Sequence, residues 1–355
     1  MYEALQHEFK INKIEIMTAA VFKNTGLIEI TDYPLKELNE NELLVEVGYC
    51  GVCGTDRRIY KGESHANPPV ILGHEYAGKV VEVGKNVTEY HCGDNVAVDP
   101  NIFCGVCEYC REGKINYCNN LKALGVNYDG GFAQYSIVPA NQAYLLPENF
   151  RLDVAAFAEP LSCCIRGIQQ ADMKLGDSVA IIGAGSIGLL MLQLVQRAGC
   201  SKLIIIEPNS AKQKIAIDYG ADFVFAPDKN DLLKNIYDLT SGGVDVVIEC
   251  AGTTDAAELA LQLPKKGGSV VIFGVASNIE DTAVNFHSVM KKELTIKGSL
   301  LNPFTFQEAV RLLAEKQINV EKFNSVKVNL ENINSIFDNQ PDSLAVKYQI
   351  YSNIN

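Results

Sequence analysis

From Met17 onward, apolar and polar positions alternate in short runs broken by turn residues. Leu43–Val47, Gly78–Gly84 and Asn95–Val98 each read as a strand, and the frequent Gly and Pro between such runs predict a β-barrel-like or partly open sheet over residues 17–150. The pattern changes near residue 151, where apolar runs begin to alternate with helical spacing. Ser178–Ile182 reads as a buried strand, and Lys202–Ile206, Phe223–Phe225, Val244–Ile248, Ser269–Phe273 and Leu294–Gly298 read as further strands. Gly188–Gly199 and Ser210–Gly220 read as helices. Strand, helix, strand in this rhythm predicts a parallel sheet covered by helices on both faces. A further helix, Phe306–Glu315, precedes mixed strand and loop to the end. The plan is a parallel-sheet domain inserted into a β-rich domain that owns both ends of the chain.

Composition adds limits to this plan. A chain of 355 residues suits two domains, and 47% hydrophobic residues supply sizeable cores. The net charge of −12 argues against nucleic acid or an anionic membrane as a partner. No apolar run is long enough to span a bilayer. Residues Met1–Ile16 are polar and mixed in charge, lack the pattern of a secretory signal, and read as an N-terminal extension. A cytoplasmic location follows as the expectation. Eleven cysteines are many for that compartment and are better read as metal ligands or catalytic groups than as disulfides.

Three constellations carry chemistry. The strand Ser178–Ile182 runs into Gly183-Ala184-Gly185-Ser186-Ile187-Gly188, a G-x-G-x-x-G turn that opens a helix. Gly183 permits the tight turn, Gly185 lets the backbone approach a pyrophosphate, and Gly188 lets helix and strand pack closely. Ser186 and Ile187 begin the helix, whose N-terminus offers free N–H groups to phosphates. Glu207 ends the next strand, where a carboxylate binds the ribose hydroxyls of NAD and repels the 2′-phosphate of NADP. Cys104, Cys107, Cys110 and Cys118 cluster on one loop and suit a closed, structural Cys₄ zinc site; an iron–sulfur cluster is the chemical alternative. The third constellation is dispersed: Cys53 on a turn, His74 with Glu75, and Glu159 at the domain junction. One thiolate, one imidazole and one carboxylate bind zinc while leaving a position for substrate.

The motifs CGTD at 53–56, GHEYAG at 73–78, the four-cysteine loop, AEPL at 158–161 and GAGSIG at 183–188 resemble the zinc-containing medium-chain alcohol dehydrogenases. The likeness runs from Met17 through almost the whole chain, and the Glu159–Leu161 form is similar to the sorbitol and polyol branch. The resemblance implies an α/β fold: a GroES-like β-rich catalytic domain over 17–165, a Rossmann doubly wound NAD domain over 166–304, and a return to the catalytic domain over 305–355. It implies that Cys53, His74 and Glu159 hold a catalytic zinc, Glu159 directly or through water, with Glu75 as an alternate ligand or a group beside the metal. Asp56 then fixes the His74 ring and Thr55 takes the proton of the substrate hydroxyl. Val275 and Ser299 fall in segments that present backbone groups to the nicotinamide, and the latter segment resembles a subunit-contact strand. The expected cofactors are NAD and two zinc ions per chain. The expected partners are a small alcohol or polyol and further copies of the chain, a tetramer rather than a dimer.

Two departures bear on the substrate and the proton path. Arg58 stands where many relatives carry a histidine that ends the proton relay, and a guanidinium cannot carry a proton. Leu301 and Asn302 stand where the sorbitol enzymes have arginine and tyrosine, which points away from sorbitol itself. Threonine and butanediol dehydrogenases share this chemistry. A non-catalytic dinucleotide sensor is the rival of another class, and it would have lost zinc ligands or Thr55. Arg57, Arg58 and Tyr60 are read as lining the substrate entrance or as a solvated turn. The remaining cysteines, Cys50, Cys92, Cys163, Cys164, Cys200 and Cys250, are expected as small buried apolar residues.

Overall fold

The computed structural model describes residues 14–227, 229–274, 281–339 and 342–352. Its six-stranded sheet runs in the order Phe223–Phe225, Lys202–Ile206, Ser178–Ile182, Val244–Glu249, Pro264–Ile272, Thr295–Gly298. Every neighbouring pair is parallel. Parallel strands are covered on both faces, which is why they read as continuous apolar runs; all five residues of Ser178–Ile182 are buried. The strand order reverses beside Ser178–Ile182, which pairs with both Lys202–Ile206 and Val244–Glu249. A crevice opens at the carboxyl ends of strands at such a reversal, and the glycine turn lies there.

The six expected strands are present, with one boundary moved by more than a residue. The fifth begins at Pro264 rather than Ser269. Its Pro-Lys-Lys-Gly-Gly start has no β pattern, and pairing of Pro264 with Val244 holds it in the sheet. The helices Lys229–Thr240, Thr254–Ala260 and Phe286–Lys292 were not foreseen. The last two are only seven residues long, so periodicity has little length on which to register.

Beside a two-stranded sheet, Asn101–Ile102 with Lys122–Ala123, the β-rich lobe holds two larger ones. One runs Ala143–Leu145, Asn95–Val98, Glu75–Val83, Glu42–Gly51, Lys347–Tyr351, Ser325–Asn329, with Tyr135–Pro139 also paired to Glu42–Gly51. The other runs Leu27–Pro34, Ile16–Asn24, Val70–Ile71. Val21, Val45, Tyr76 and Phe132 contribute to their common core. The end of the chain returns here, with Gln349 opposite Gly51 and Ile350 opposite Cys50.

The junction is less clean than boundaries at 165 and 305 imply. One helix, Ala158–Ala171, runs through residue 165. Helix Phe306–Ala314 buries Phe306, Ala309, Val310 and Leu313, an i, i+3, i+4, i+7 stripe, in the core that also takes Leu161 and Ile181. Among the described residues no helix is long and apolar enough to cross a membrane.

Candidate active site

A single rung of the β-rich lobe assembles the first cluster. Gly51 lies opposite Glu75 in the antiparallel pair Glu42–Gly51 and Glu75–Val83. Cys53 follows that rung on one strand and His74 precedes it on the other. A Cβ at position 51 would lie 2.2 Å from Glu75 Oε2, so only glycine admits the buried carboxylate there. Cys53 is the extended N-cap of helix Gly54–Lys61, not merely a turn residue. Its N–H donates to Asp56 Oδ2 at 2.8 Å, a capping box with cysteine in the place of serine.

The cap fixes Asp56, which is fully buried. Its other oxygen, Oδ1, lies 3.4 Å from His74 Nδ1. That contact is close enough for attraction but not aligned as a hydrogen bond, and both atoms are buried without a hydrogen-bond partner. With Nδ1 turned to Asp56, Nε2 is the ring nitrogen left for a metal. Burial disfavours the imidazolium, but Asp56 and Cys53 outweigh it and hold the His74 pKa well above its ordinary value. Ligand atoms of Cys53, His74 and Glu75 all lie within 4.8 Å of one another. A thiolate, an imidazole and a carboxylate converging around orphaned polar atoms fit zinc.

The structure separates the two glutamates. Glu75 belongs to the tight set, whereas Glu159, in the first turn of helix Ala158–Ala171, lies outside it. Burial pushes the Glu159 carboxyl up to about 7, against the opposing pull of His74, and Cys163 Sγ donates to its Oε1 at 3.5 Å. Thr55 sits partly exposed in the first turn of the helix that Cys53 caps. Lys347 was not foreseen: it is almost fully buried, with its Nζ paired to Glu75 Oε2. The available signal was a lone lysine in the run Ala345-Val346-Lys347-Tyr348, since lysine is almost never buried unless paired.

The four-cysteine loop closes on itself. Cys104, Cys107, Cys110 and Cys118 lie within one 4.8 Å set, with Cys107 Sγ 3.5 Å and Cys104 Sγ 4.0 Å from Cys110 Sγ. Tetrahedral zinc with bonds of ~2.3 Å needs sulfurs roughly 3.8 Å apart. Backbone N–H groups of Val106 and Cys107 bring the Cys104 thiol down to about 6, while burial and the adjacent thiols push Cys110 up to about 12. Of the other cysteines, Cys50 and Cys164 are buried and Cys163, Cys200 and Cys250 partly so. Cys92 departs from the expectation: it is exposed, and its thiol donates to the Val81 carbonyl at 3.3 Å.

On the opposite side of the cleft the three glycines have different reasons to be glycine. Gly183 has φ +99°, a left-handed turn. A Cβ at Gly188 would lie 1.9 Å from the Gly183 carbonyl oxygen. Gly185, the N-cap of helix Ser186–Arg197, has no protein atom within 4 Å of its ideal Cβ. Nothing in the protein requires glycine there, and the open space suits close approach of a pyrophosphate. Glu207 accepts from Ala184 N at 2.7 Å and from Asn209 N at 2.9 Å, so its carboxylate also braces the glycine turn. Ser299 follows the edge strand with its hydroxyl buried and without a hydrogen-bond partner. Val275 lies outside the described residues. A cavity of about 280 Å³ joins the two halves, lined by Cys53, Gly54 and Glu75 on one side and Gly185, Ser186 and Ile187 on the other.

Asn302 is not an open pocket wall. It is 3% exposed, and its amide nitrogen donates to Ser162 Oγ at 2.8 Å and Asp99 Oδ1 at 3.2 Å. Its oxygen accepts from Asn101 Nδ2 at 2.8 Å. The network ties the β-rich lobe and the junction helix to the segment after the last parallel strand, where Leu301 and Phe304 both take positive φ. Replacing Asn302 by Leu removes three hydrogen bonds, while Ser162, Asp99 and Asn101 each keep another partner, and is expected to cost about 1–3 kcal/mol. Chemical denaturation measures this; a midpoint within error of the parent would show that the network contributes nothing to stability. Tyr60, read as an entrance residue or part of a solvated turn, donates to Asp338 Oδ1 at 2.6 Å and packs against Phe337, and it does not line the cleft.

Comparison with known proteins agrees with this geometry. Residues 39–148 match the alcohol dehydrogenase GroES-like domain and residues 186–315 the zinc-binding dehydrogenase family. D-arabitol-phosphate dehydrogenase of Enterococcus avium is 33% identical over 329 residues, 91% of this chain and 93% of that protein. Sorbitol dehydrogenase of Halalkalibacterium halodurans is 33% identical over 301 residues, 84% of this chain and 88% of that protein. A crystal structure of a zinc-binding dehydrogenase from Sinorhizobium meliloti 1021 bound to NADP superimposes with a TM-score of 0.92 at 37% identity, covering 95% of this chain and 99% of that one. The fold and the cleft therefore define a two-domain zinc dehydrogenase. The chain belongs to the zinc-binding alcohol dehydrogenase family, on its polyol dehydrogenase side.

Proposed function

We propose that the protein oxidises the CH–OH group of a polyol or secondary alcohol with NAD as hydride acceptor, in the cytoplasm and as a homo-oligomer. The observation that carries this reading is the cleft lined both by Cys53 and Glu75, which cluster with His74, and by the Gly185–Ile187 turn. Bound zinc supplies Lewis-acid polarisation of the alcohol oxygen, and bound dinucleotide supplies the hydride acceptor. Cys53, His74 and Glu75 would hold the metal, with Glu159 entering directly or through water. Asp56 keeps the His74 ring in one orientation. Thr55 Oγ1 would accept the substrate proton while its own hydroxyl proton passes to water, since Arg58 cannot carry it. The four-cysteine loop would hold a second zinc with no position for substrate.

Glu207 supports NAD over NADP, because a buried carboxylate at the end of the second strand repels a 2′-phosphate. Glu207→Ala is expected to raise the Michaelis constant for NAD at least several-fold and to improve use of NADP. The ratio of kcat/KM for the two cofactors measures this, and an unchanged ratio would remove the ribose assignment. The oligomer reading rests on the sheet edge: Phe286, Met290, Ile296, Leu300 and Phe304 are exposed around the edge strand Thr295–Gly298. An apolar, unpaired edge invites a second copy.

The deciding experiment is NAD reduction across sorbitol, xylitol, galactitol, arabitol, threonine, butanediol, propan-2-ol and sugar-alcohol phosphates, with zinc measured on the same sample. A chelator-sensitive response to one alcohol supports the reading and names the substrate. NADH binding without turnover of any of them, and with zinc only in the four-cysteine loop, would favour a dinucleotide sensor.

A further inference from the structure

Arg57 was read from sequence as an entrance residue or part of a solvated turn, and no motif assigns it a role. The structure holds its guanidinium in place. Nη1 donates to the Ile336 carbonyl at 2.9 Å, and the guanidinium carbon stands 5.5 Å from the centre of the Tyr348 ring. Its second terminal nitrogen, Nη2, is buried and has no hydrogen-bond partner. A fixed cation with a buried, unsatisfied donor is costly unless an anion completes it.

The surroundings indicate which anion. Arg57 lines the same cavity as Gly185, Ser186 and Ile187, the N-terminal turn of a twelve-residue helix. That turn carries unpaired N–H groups and the positive end of the helix dipole. Lys347 lines the cavity too, with its charge already engaged by Glu75. Arg57 is therefore the cation of this cavity whose donor is unspent. It comes from the β-rich lobe, whereas the glycine turn comes from the parallel sheet, so an anion between them is gripped from both sides.

We infer that Arg57 binds the pyrophosphate of the dinucleotide, closing from the β-rich lobe the phosphate site that the Gly185–Ile187 turn opens. The inference rests on the dinucleotide reading of the cleft. Arg57 is then a cofactor-binding residue, and the pyrophosphate becomes a bridge between the lobes. A guanidinium suits this role because its planar fork matches phosphate oxygens, whereas an ammonium offers only a point charge.

The test is calorimetric binding of NADH and of ADP-ribose, with displacement of NADH by adenosine, on the parent, R57Q and R57K. A charge-assisted hydrogen bond corresponds to roughly 10–100-fold in affinity. R57Q is expected to weaken NADH and ADP-ribose by about that factor, to flatten the salt dependence of both, and to leave adenosine unchanged. R57K, which keeps the charge, should recover part of the loss and serves as the reporter if R57Q does not fold. Equal weakening of adenosine would overturn the proposal, as would unchanged NADH affinity with a raised KM for the alcohol. Failure of the parent to bind NADH would instead remove the dinucleotide reading, and this proposal with it.

Discussion

Replacing His74 by Asn is expected to lower kcat/KM on the order of a thousandfold or more and to empty one of the two metal clusters. Lewis-acid stabilisation of a developing oxyanion is worth several kcal/mol, and His74 is the only imidazole in the set with Cys53 and Glu75. The amide nitrogen of Asn stands in for Nδ1 toward the buried Asp56 carboxylate, so the variant removes the metal ligand without stranding a buried charge. Steady-state kinetics beside elemental analysis of the same preparation reads both effects. Turnover at the parental rate after loss of that zinc would remove the metal from the chemistry. Loss of both zincs would show that the cluster supports the lobe rather than the reaction.

Cys107→Ser is expected to act in the opposite way. Its sulfur is part of a closed four-thiol set, and the cleft that holds the first cluster does not include that loop. Structural zinc contributes folding free energy directly, so opening the set should cost several kcal/mol and lower Tm by on the order of 10 °C. Turnover per folded molecule should change by no more than a few-fold. Calorimetry with active-site titration separates the two quantities; parental Tm with lost turnover would contradict a structural role.

The parts of this protein that were legible in sequence are those encoded in contiguous residues. GAGSIG combines a left-handed Gly183, an open Gly185 and a Gly188 that admits no side chain, all within one turn. The Cys₄ loop works in the same way, since three of its ligands are spaced on one short loop. The buried strands announced themselves because a strand covered on both faces has only apolar positions to show. Helices of seven residues did not, because a short segment can be helical through packing alone.

What sequence by itself determined was thus a doubly wound sheet with its phosphate turn, a β-rich lobe, and two sets of metal-ligating residue types. Tertiary structure decided which of those residues meet. Gly51 opposite Glu75 is a strand register, and no local periodicity specifies which rung of one strand faces which rung of another. That register brings Glu75 beside Cys53 and His74. The return of the chain to pair Gln349 with Gly51 is equally non-local, and it delivers Lys347 to Glu75 from about 270 residues away. The contacts of Asn302 and Arg57 were illegible for the same reason. Their partners, Ser162 and Asp99 for one and Ile336 and Tyr348 for the other, are remote in sequence. Hydrogen bonds and charges act over a few ångströms of space, while a sequence records only distance along the chain.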